Sequence, residues 1–79
     1  MKQETPNKAG AMAYVQSEAA VLSEQCERSE RVIGYQRALA AVYAIKAGGL
    51  VSEDEFDKLI SEIETANSKS AACIRANRQ

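Results

Sequence analysis

The sequence contains no His, no Trp, one Pro and only two Cys residues, and these absences exclude several functions. Without His, the chain lacks the side chain most often used as a general base or a metal ligand. Ser and Cys nucleophiles need an activating neighbour, and no spacing in the sequence supplies one. We therefore predict that the chain is not an enzyme, and we expect no catalytic residue, no metal and no cofactor.

Strong charge of one sign and long apolar runs are also absent. The formal net charge is −1 with 27% charged residues, so the sequence lacks the basic footprint of a typical nucleic-acid-binding domain. No apolar run could span a bilayer, and residues 1 to 8 lack the apolar core of a signal peptide. We expect a cytoplasmic protein without a membrane partner, in which Cys26 and Cys73 are reduced thiols.

The remaining composition favours helices. The length of 79 residues predicts one domain, close to the size at which a single core supplies only about 3 to 5 kcal/mol. Residues 1 to 8 are polar, contain the only Pro and are predicted to be a disordered lead-in. Residues 9 to 79 are predicted to form a single all-α domain, because Ala, Glu, Leu and Arg dominate the longest stretch without Pro or Gly pairs.

A helix stop and a helix start follow each other directly in the middle of this domain. Gly48 or Gly49 can take the left-handed conformation that ends a helix. Residues 48 to 52 therefore predict a short turn. Two helices joined by so short a turn fold back on each other, so the sequence predicts an antiparallel helical hairpin.

Ser52 is predicted to cap the second helix. Its hydroxyl can accept a hydrogen bond from the Glu55 N–H while the Glu55 carboxylate accepts one from the Ser52 N–H. Val51 can also pack on Phe56 across the same joint.

The first predicted helix spans about residues 9 to 47. Spacings of three and four residues predict one continuous stripe that faces the core. The stripe consists of Met12, Val15, Ala19, Leu22, Cys26, Ser29, Ile33, Gln36, Ala40, Tyr43 and Ala47. Polar residues followed by Gly34 predict a bend or break near residues 27 to 34.

Charged residues lie where helices favour them. Glu24 with Arg28, and Glu27 with Arg31, are predicted i,i+4 ion pairs. The second predicted helix, about residues 53 to 76, begins with acidic residues and ends with basic ones, which matches the helix dipole. Its predicted core face is Phe56, Leu59, Ile60, Ile63, Ala66, Asn67, Ser70, Cys73 and Ile74.

The first helix carries more apolar surface than a two-helix hairpin could cover. A second stripe lies beside the first, and residues 11 to 15 and 19 to 22 extend past the end of the second helix. This excess predicts self-association, as a homodimer or higher oligomer, or binding to another protein. The predicted interface consists of Met12, Tyr14, Val15, Leu22, Val32, Tyr35, Leu39 and Val42.

The hairpin also predicts where the two thiols lie. Folding the chain at Gly49 places Cys26 level with Cys73. Whether they bond depends on the directions of their Cβ atoms, which the sequence leaves open.

Residues 39 to 60 read Leu-Ala-Ala-Val-Tyr-Ala-Ile-Lys-Ala-Gly-Gly-Leu-Val-Ser-Glu-Asp-Glu-Phe-Asp-Lys-Leu-Ile. This segment resembles the short helical hairpin known as the SHOCT domain, through the Leu/Tyr helix end, the Gly, the two aliphatic residues, the Ser and the Glu-Phe pair. The resemblance implies a protein-contact or oligomerisation element without catalytic residues.

We interpret the chain as a small non-enzymatic protein-interaction module. Its size and lack of chemistry are typical of adaptors, assembly factors or stoichiometric inhibitors of the sort that phages and mobile elements encode. A first alternative is a nucleic-acid-associated regulator that uses Arg28, Arg31, Arg37, Arg75 and Arg78. A second alternative is a nucleotide binder whose pocket, between subunits, is lined by Tyr14 and arginines.

Overall fold

A computed structural model describes residues 8 to 77 and consists of three α-helices. They are α1 (Lys8–Ser23), α2 (Arg28–Ala47) and α3 (Glu53–Asn77), and each packs against the other two. No strand occurs in this described range, so the predicted all-α class is confirmed. Apart from Lys8, which begins α1, the predicted lead-in lies outside the described residues.

The joint between α2 and α3 closes by local hydrogen bonds. Gly49 has a φ of 76°, in the left-handed region that favours glycine. The Leu50 N–H donates to the Ile45 carbonyl at 3.0 Å, which satisfies one of the last carbonyls of α2. Ser52 N donates to Glu55 Oε1 at 2.7 Å, and Glu55 N donates to Ser52 Oγ at 3.1 Å. The start of α3 is thus capped in both directions.

The sequence left open whether residues 9 to 47 form one long helix or two collinear ones, and the structure has two helices, because the chain leaves the helical conformation from residue 24 to residue 27. Polar side chains take over the last carbonyls of α1. Ser23 Oγ donates to Ala20 O at 2.7 Å, and Gln25 Nε2 donates to Val21 O at 3.3 Å. The break ends at residue 27, where the interval of the predicted bend or break begins.

The predicted overhang at the beginning of the chain is wrong. Because the chain reverses at the break, α1 lies along α3, and Val15 and Leu22 are fully buried. Lys8 Nζ lies 2.9 Å from Glu55 Oε2, so the beginnings of α1 and α3 are in contact. Burying a Val or Leu side chain stabilises a fold by about 1.5 to 3 kcal/mol, which favours folding back over extension. The buried core is Val15, Ala19, Leu22, Ala38, Val42, Val51, Leu59, Ile63 and Ala66.

The predicted core stripe holds in α1 but not in α2. Ile33 and Tyr43 are 51% and 56% exposed, whereas Ala38 and Val42 are fully buried. The non-helical residues between α1 and α2 rotate α2 relative to the continuous helix that the stripe assumed. The stripe members that are exposed for this reason are Ser29, Ile33, Gln36, Ala40, Tyr43 and Ala47. The predicted core face of α3, in contrast, is buried or half-buried throughout.

None of the helices in the described part of the chain combines the length and hydropathy needed to cross a membrane.

Gly34 allows α1 and α2 to approach each other, and its replacement tests this contact. A Cβ at Gly34 would lie 3.3 Å from Leu22 Cδ1. We expect Gly34→Val to lower the free energy of unfolding by about 1 to 3 kcal/mol, because its methyl groups would displace Leu22 from the core. Urea denaturation measures the loss. Ala40→Val, at an exposed position of α2, is the matched control, and an equal loss in both variants would contradict the crowding explanation.

The pH dependence of stability tests the capping of α3. The hydrogen bond from Lys8, and next the one from the Ser52 N–H, lower the pKa of the Glu55 carboxyl. Because the folded-state pKa is below the unfolded one, this stabilisation is present above the unfolded pKa and is lost as the pH falls through the folded value.

We therefore expect Glu55→Gln to reduce the loss of thermal stability on acidification below about pH 4.3. Thermal unfolding followed by circular dichroism measures this loss across the acid range. Glu62→Gln removes a carboxylate from the same helix that makes no hydrogen bond or ion pair with any described residue, and it should keep the wild-type pH profile.

Candidate functional site

Two neighbouring cavities lie around the first turns of α2. The first, which we call the arginine cleft, has a volume of about 280 Å³ and is lined by Arg28, Arg31, Val32, Ala71, Ile74 and Arg75. The second, the apolar groove, has a volume of about 580 Å³ and is lined by Glu27, Arg28, Ser29, Val32 and Ile33. Arg28 and Val32 line both cavities, so the two form one continuous candidate site.

The turn that precedes α2 is fixed to the end of α3. Cys26 and Cys73 are joined as a disulfide, with Cα atoms 5.2 Å apart. Ser70 Oγ donates to the Gln25 carbonyl at 2.5 Å, and Asn77 Nδ2 contacts Cys26 Sγ at 3.3 Å. These contacts hold the beginning of α2 beside the last turns of α3, where the arginine cleft forms.

The expectation of reduced thiols is therefore wrong for this structure. The reversal of the chain before α2 brings Cys26 against Cys73 on α3, and the distance between their Cα atoms suits a disulfide. Disulfides are typical of oxidising compartments. The cytoplasmic location that the sequence predicted stays a prediction.

Within residues 8 to 77, no ion pair neutralises the positive charges of the arginine cleft. The predicted pair of Glu24 with Arg28 does not form, because the break lies between the two residues. The predicted pair of Glu27 with Arg31 does not form either, although both residues belong to the beginning of α2. Glu27 Oε1 instead accepts a hydrogen bond from Ser29 Oγ at 3.2 Å. No described carboxylate lies within ion-pair distance of any of the three cleft arginines.

Arg31 is held in a defined orientation across the two helices. Its terminal NH1 donates to Asn67 Oδ1 on α3 at 2.8 Å. Its Nε is buried and meets no hydrogen-bond acceptor among the described residues. A planar guanidinium fixed by one hydrogen bond keeps its other donors in place for an anion.

The apolar groove exposes two large aliphatic side chains. Val32 is 43% exposed and Ile33 is 51% exposed. Glu27, which precedes α2, makes no capping hydrogen bond from its carboxylate to a backbone N–H of the first turn. The groove therefore combines an apolar surface with the positive end of a helix dipole.

Most of the predicted interface does not lie on the surface. Val15, Leu22 and Val42 are fully buried, and Met12 and Leu39 are half-buried against the core. Their burial within one copy removes the argument that these five side chains need a partner to cover them. Three of the five lie on α1, which packs on α2 and α3 after a reversal of the chain that no sequence feature predicted.

The other predicted interface residues lie in different places. Val32 lines both cavities, whereas Tyr14 is 53% exposed on α1 and lines neither. The Tyr35 hydroxyl donates to Glu64 Oε2 at 2.5 Å, and this hydrogen bond raises the pKa of Tyr35. Neither of the two cavities brings Tyr14 together with the arginines, and the pocket between subunits stays a prediction.

The arginine set named from the sequence is brought together only in part. Arg28, Arg31 and Arg75 converge, Arg37 lines neither cavity, and Arg78 lies outside the described residues. The sequence predicted core positions for both Ile33 and Asn67, so their roles at the candidate site were missed. The sequence contained no signal for either role, because both depend on the break before α2.

Comparison of the chain with protein-family models, with curated proteins and with solved structures gives no match. The resemblance of residues 39 to 60 to the SHOCT hairpin thus stays a prediction.

Removal of the disulfide tests whether it holds the site together. The bond links residues that are 47 positions apart in the chain, and closing a loop of this length stabilises a fold by about 4 kcal/mol in the chain-entropy description. We expect the double variant Cys26→Ser/Cys73→Ser to lose about that much free energy of unfolding, measured in urea without reductant. Reductant should lower the stability of the wild type to that of the variant and leave the variant unchanged. Two free thiols in the folded, air-exposed wild type would contradict the pairing.

Proposed function

We propose that this chain is a small non-enzymatic protein-interaction module that binds another polypeptide at the apolar groove. The observation that carries the proposal is the pair of exposed aliphatic side chains, Val32 and Ile33, in an open groove beside a second cavity. Protein docking sites typically combine exposed apolar side chains with a concave surface that can hold a side chain of the partner. A role as adaptor, assembly factor or stoichiometric inhibitor is consistent with such a site.

The proposed working unit is an antiparallel helical hairpin of α2 and α3, with α1 packed on one side. Contacts between the two helices support this arrangement, because later residues of α2 pair with earlier residues of α3. These contacts are Arg31 with Asn67, Tyr35 with Glu64, and Lys46 with Glu53. The groove then lies at the end of the hairpin that is farthest from its turn.

A second copy of the chain is the simplest partner. Self-association, as a homodimer or higher oligomer, would use the side chains that one copy leaves exposed rather than those that it buries. Val32 remains available for this role from the interface that the sequence predicted, and Ile33 adds to it. The resemblance to the SHOCT hairpin supports the same kind of role.

The double variant Val32→Ser/Ile33→Ser tests the groove. We expect sedimentation velocity to show a dimer or larger species for the wild type and a monomer for the variant. The dissociation constant of the oligomer should rise by about tenfold or more, because the variant loses two side chains that the interface would bury. Val21→Ser is the matched control, since Val21 is 50% exposed on α1 and lines neither cavity.

Affinity capture from the native host, with the same three proteins, extends the test to a different partner. A partner retained by the wild type and the Val21→Ser control but lost with the groove variant supports the proposal. A wild type that is monomeric, and that retains the same proteins as the groove variant, would contradict it.

A further inference from the structure

The arginine cleft gathers positive charge from two helices into one small cavity. Arg28 and Arg31 belong to the first turns of α2, and Arg75 belongs to the end of α3. None of the three forms an ion pair with a described carboxylate. Cations held close together repel one another unless an opposite charge lies between them. The cleft is therefore a place where a bound anion would relieve repulsion.

The hydrogen bonding of Arg31 also favours a bound anion. Its NH1 is used by Asn67, while its Nε is buried without an acceptor among the described residues. A buried donor that lacks an acceptor destabilises a fold, and one on a charged group does so most. Arg31 lines the cleft, so an oxyanion there could accept from its guanidinium group, and a small movement of the side chain would bring the Nε–H within reach as well.

The beginning of α2 adds to the attraction for an anion. The Glu27 carboxylate accepts a hydrogen bond from Ser29 Oγ but makes none to a backbone N–H, so it leaves the N–H groups of the first turn uncapped. These groups carry the positive end of the helix dipole. Arg28 belongs to this same turn, so dipole and guanidinium act on the same region.

We propose that the arginine cleft is an oxyanion site that binds a phosphate group. Three guanidinium groups and a helix N-terminus match a doubly charged group with several acceptor oxygens better than a singly charged carboxylate. The volume of about 280 Å³ is just below the range of about 300 to 1,000 Å³ found for drug-sized ligands. The cleft therefore holds a phosphate or pyrophosphate group, and any larger ligand extends out of it. The cleft shares Arg28 and Val32 with the apolar groove, but the phosphate site rests on the arginines and not on the docking role of Val32 and Ile33.

Titration of the disulfide-bonded chain with sodium pyrophosphate tests the proposal. Two-dimensional ¹H–¹⁵N spectra that include arginine side chains report on the Arg31 Nε–H directly. We expect saturable shifts of this resonance and of the backbone amides in the first turn of α2. Sodium chloride at equal ionic strength is the reference. Shifts that do not saturate, or that chloride reproduces, would overturn the site.

Two double variants separate the cleft from general charge. Arg28→Gln/Arg75→Gln should weaken pyrophosphate binding by about tenfold or more, because two charged hydrogen-bond donors are lost. Arg37→Gln/Lys69→Gln removes the same charge from exposed positions of the same helices and should leave the affinity unchanged. Equal weakening by both variants would overturn the proposal. Arg28→Lys/Arg75→Lys keeps the charge, so it provides a second comparison if the Gln variant is unstable by circular dichroism.

Parallel titrations identify the source of the phosphate group. Inorganic phosphate, pyrophosphate and ATP distinguish a free ion from a phosphorylated ligand, and each should lose affinity in the Arg28→Gln/Arg75→Gln variant alone. Titration with a duplex DNA tests whether the arginines instead form a nucleic-acid-binding surface. Salt-dependent DNA binding that both double variants weaken equally, without saturable pyrophosphate binding, would assign the arginines to a diffuse nucleic-acid surface and overturn the cleft.

Discussion

The reversal of the chain between α1 and α2 is held from outside by α3. Ser70 Oγ donates a hydrogen bond to the Gln25 carbonyl, and Cys73 is joined to Cys26 in the same turn. With the turn held there, α1 can lie along α3 and bury its apolar face. Without this constraint the chain would be a two-helix hairpin with an uncovered extension. The three-helix core and both cavities depend on it.

The same reversal creates the candidate site. It restarts the helix at Arg28, beside the last turns of α3, and thereby brings Arg31 next to Asn67. It also sets the rotation of α2, which turns Ile33 to the surface and Val42 into the core. The contacts that hold the reversal and the residues that form the cavities therefore occupy the same end of the molecule.

The two parts of the candidate site are chemically different but share residues. The arginine cleft suits an anion, and the apolar groove suits an aliphatic side chain of a partner. Arg28 and Val32 line both, so an occupant of one cavity would contact residues of the other. A polypeptide in the groove and a phosphate group in the cleft are thus expected to influence each other's affinity. The direction of that influence depends on the charge of the polypeptide, because an acidic partner would compete for Arg28 and a neutral one would not.

The sequence alone determined the features that local interactions control. The turn after α2, the reciprocal capping of Ser52 and Glu55, and the core face of α3 all follow from residues within a few positions of one another. The arginine set was visible as well, but its convergence was not. The end of α1 contains neither Gly nor Pro, and it is held by Ser70 and Cys73, which lie 45 and 47 positions away from their partners. Only the tertiary structure could decide that break, because helix propensity reports on neighbouring residues, whereas the energy that bends this chain comes from contacts with α3.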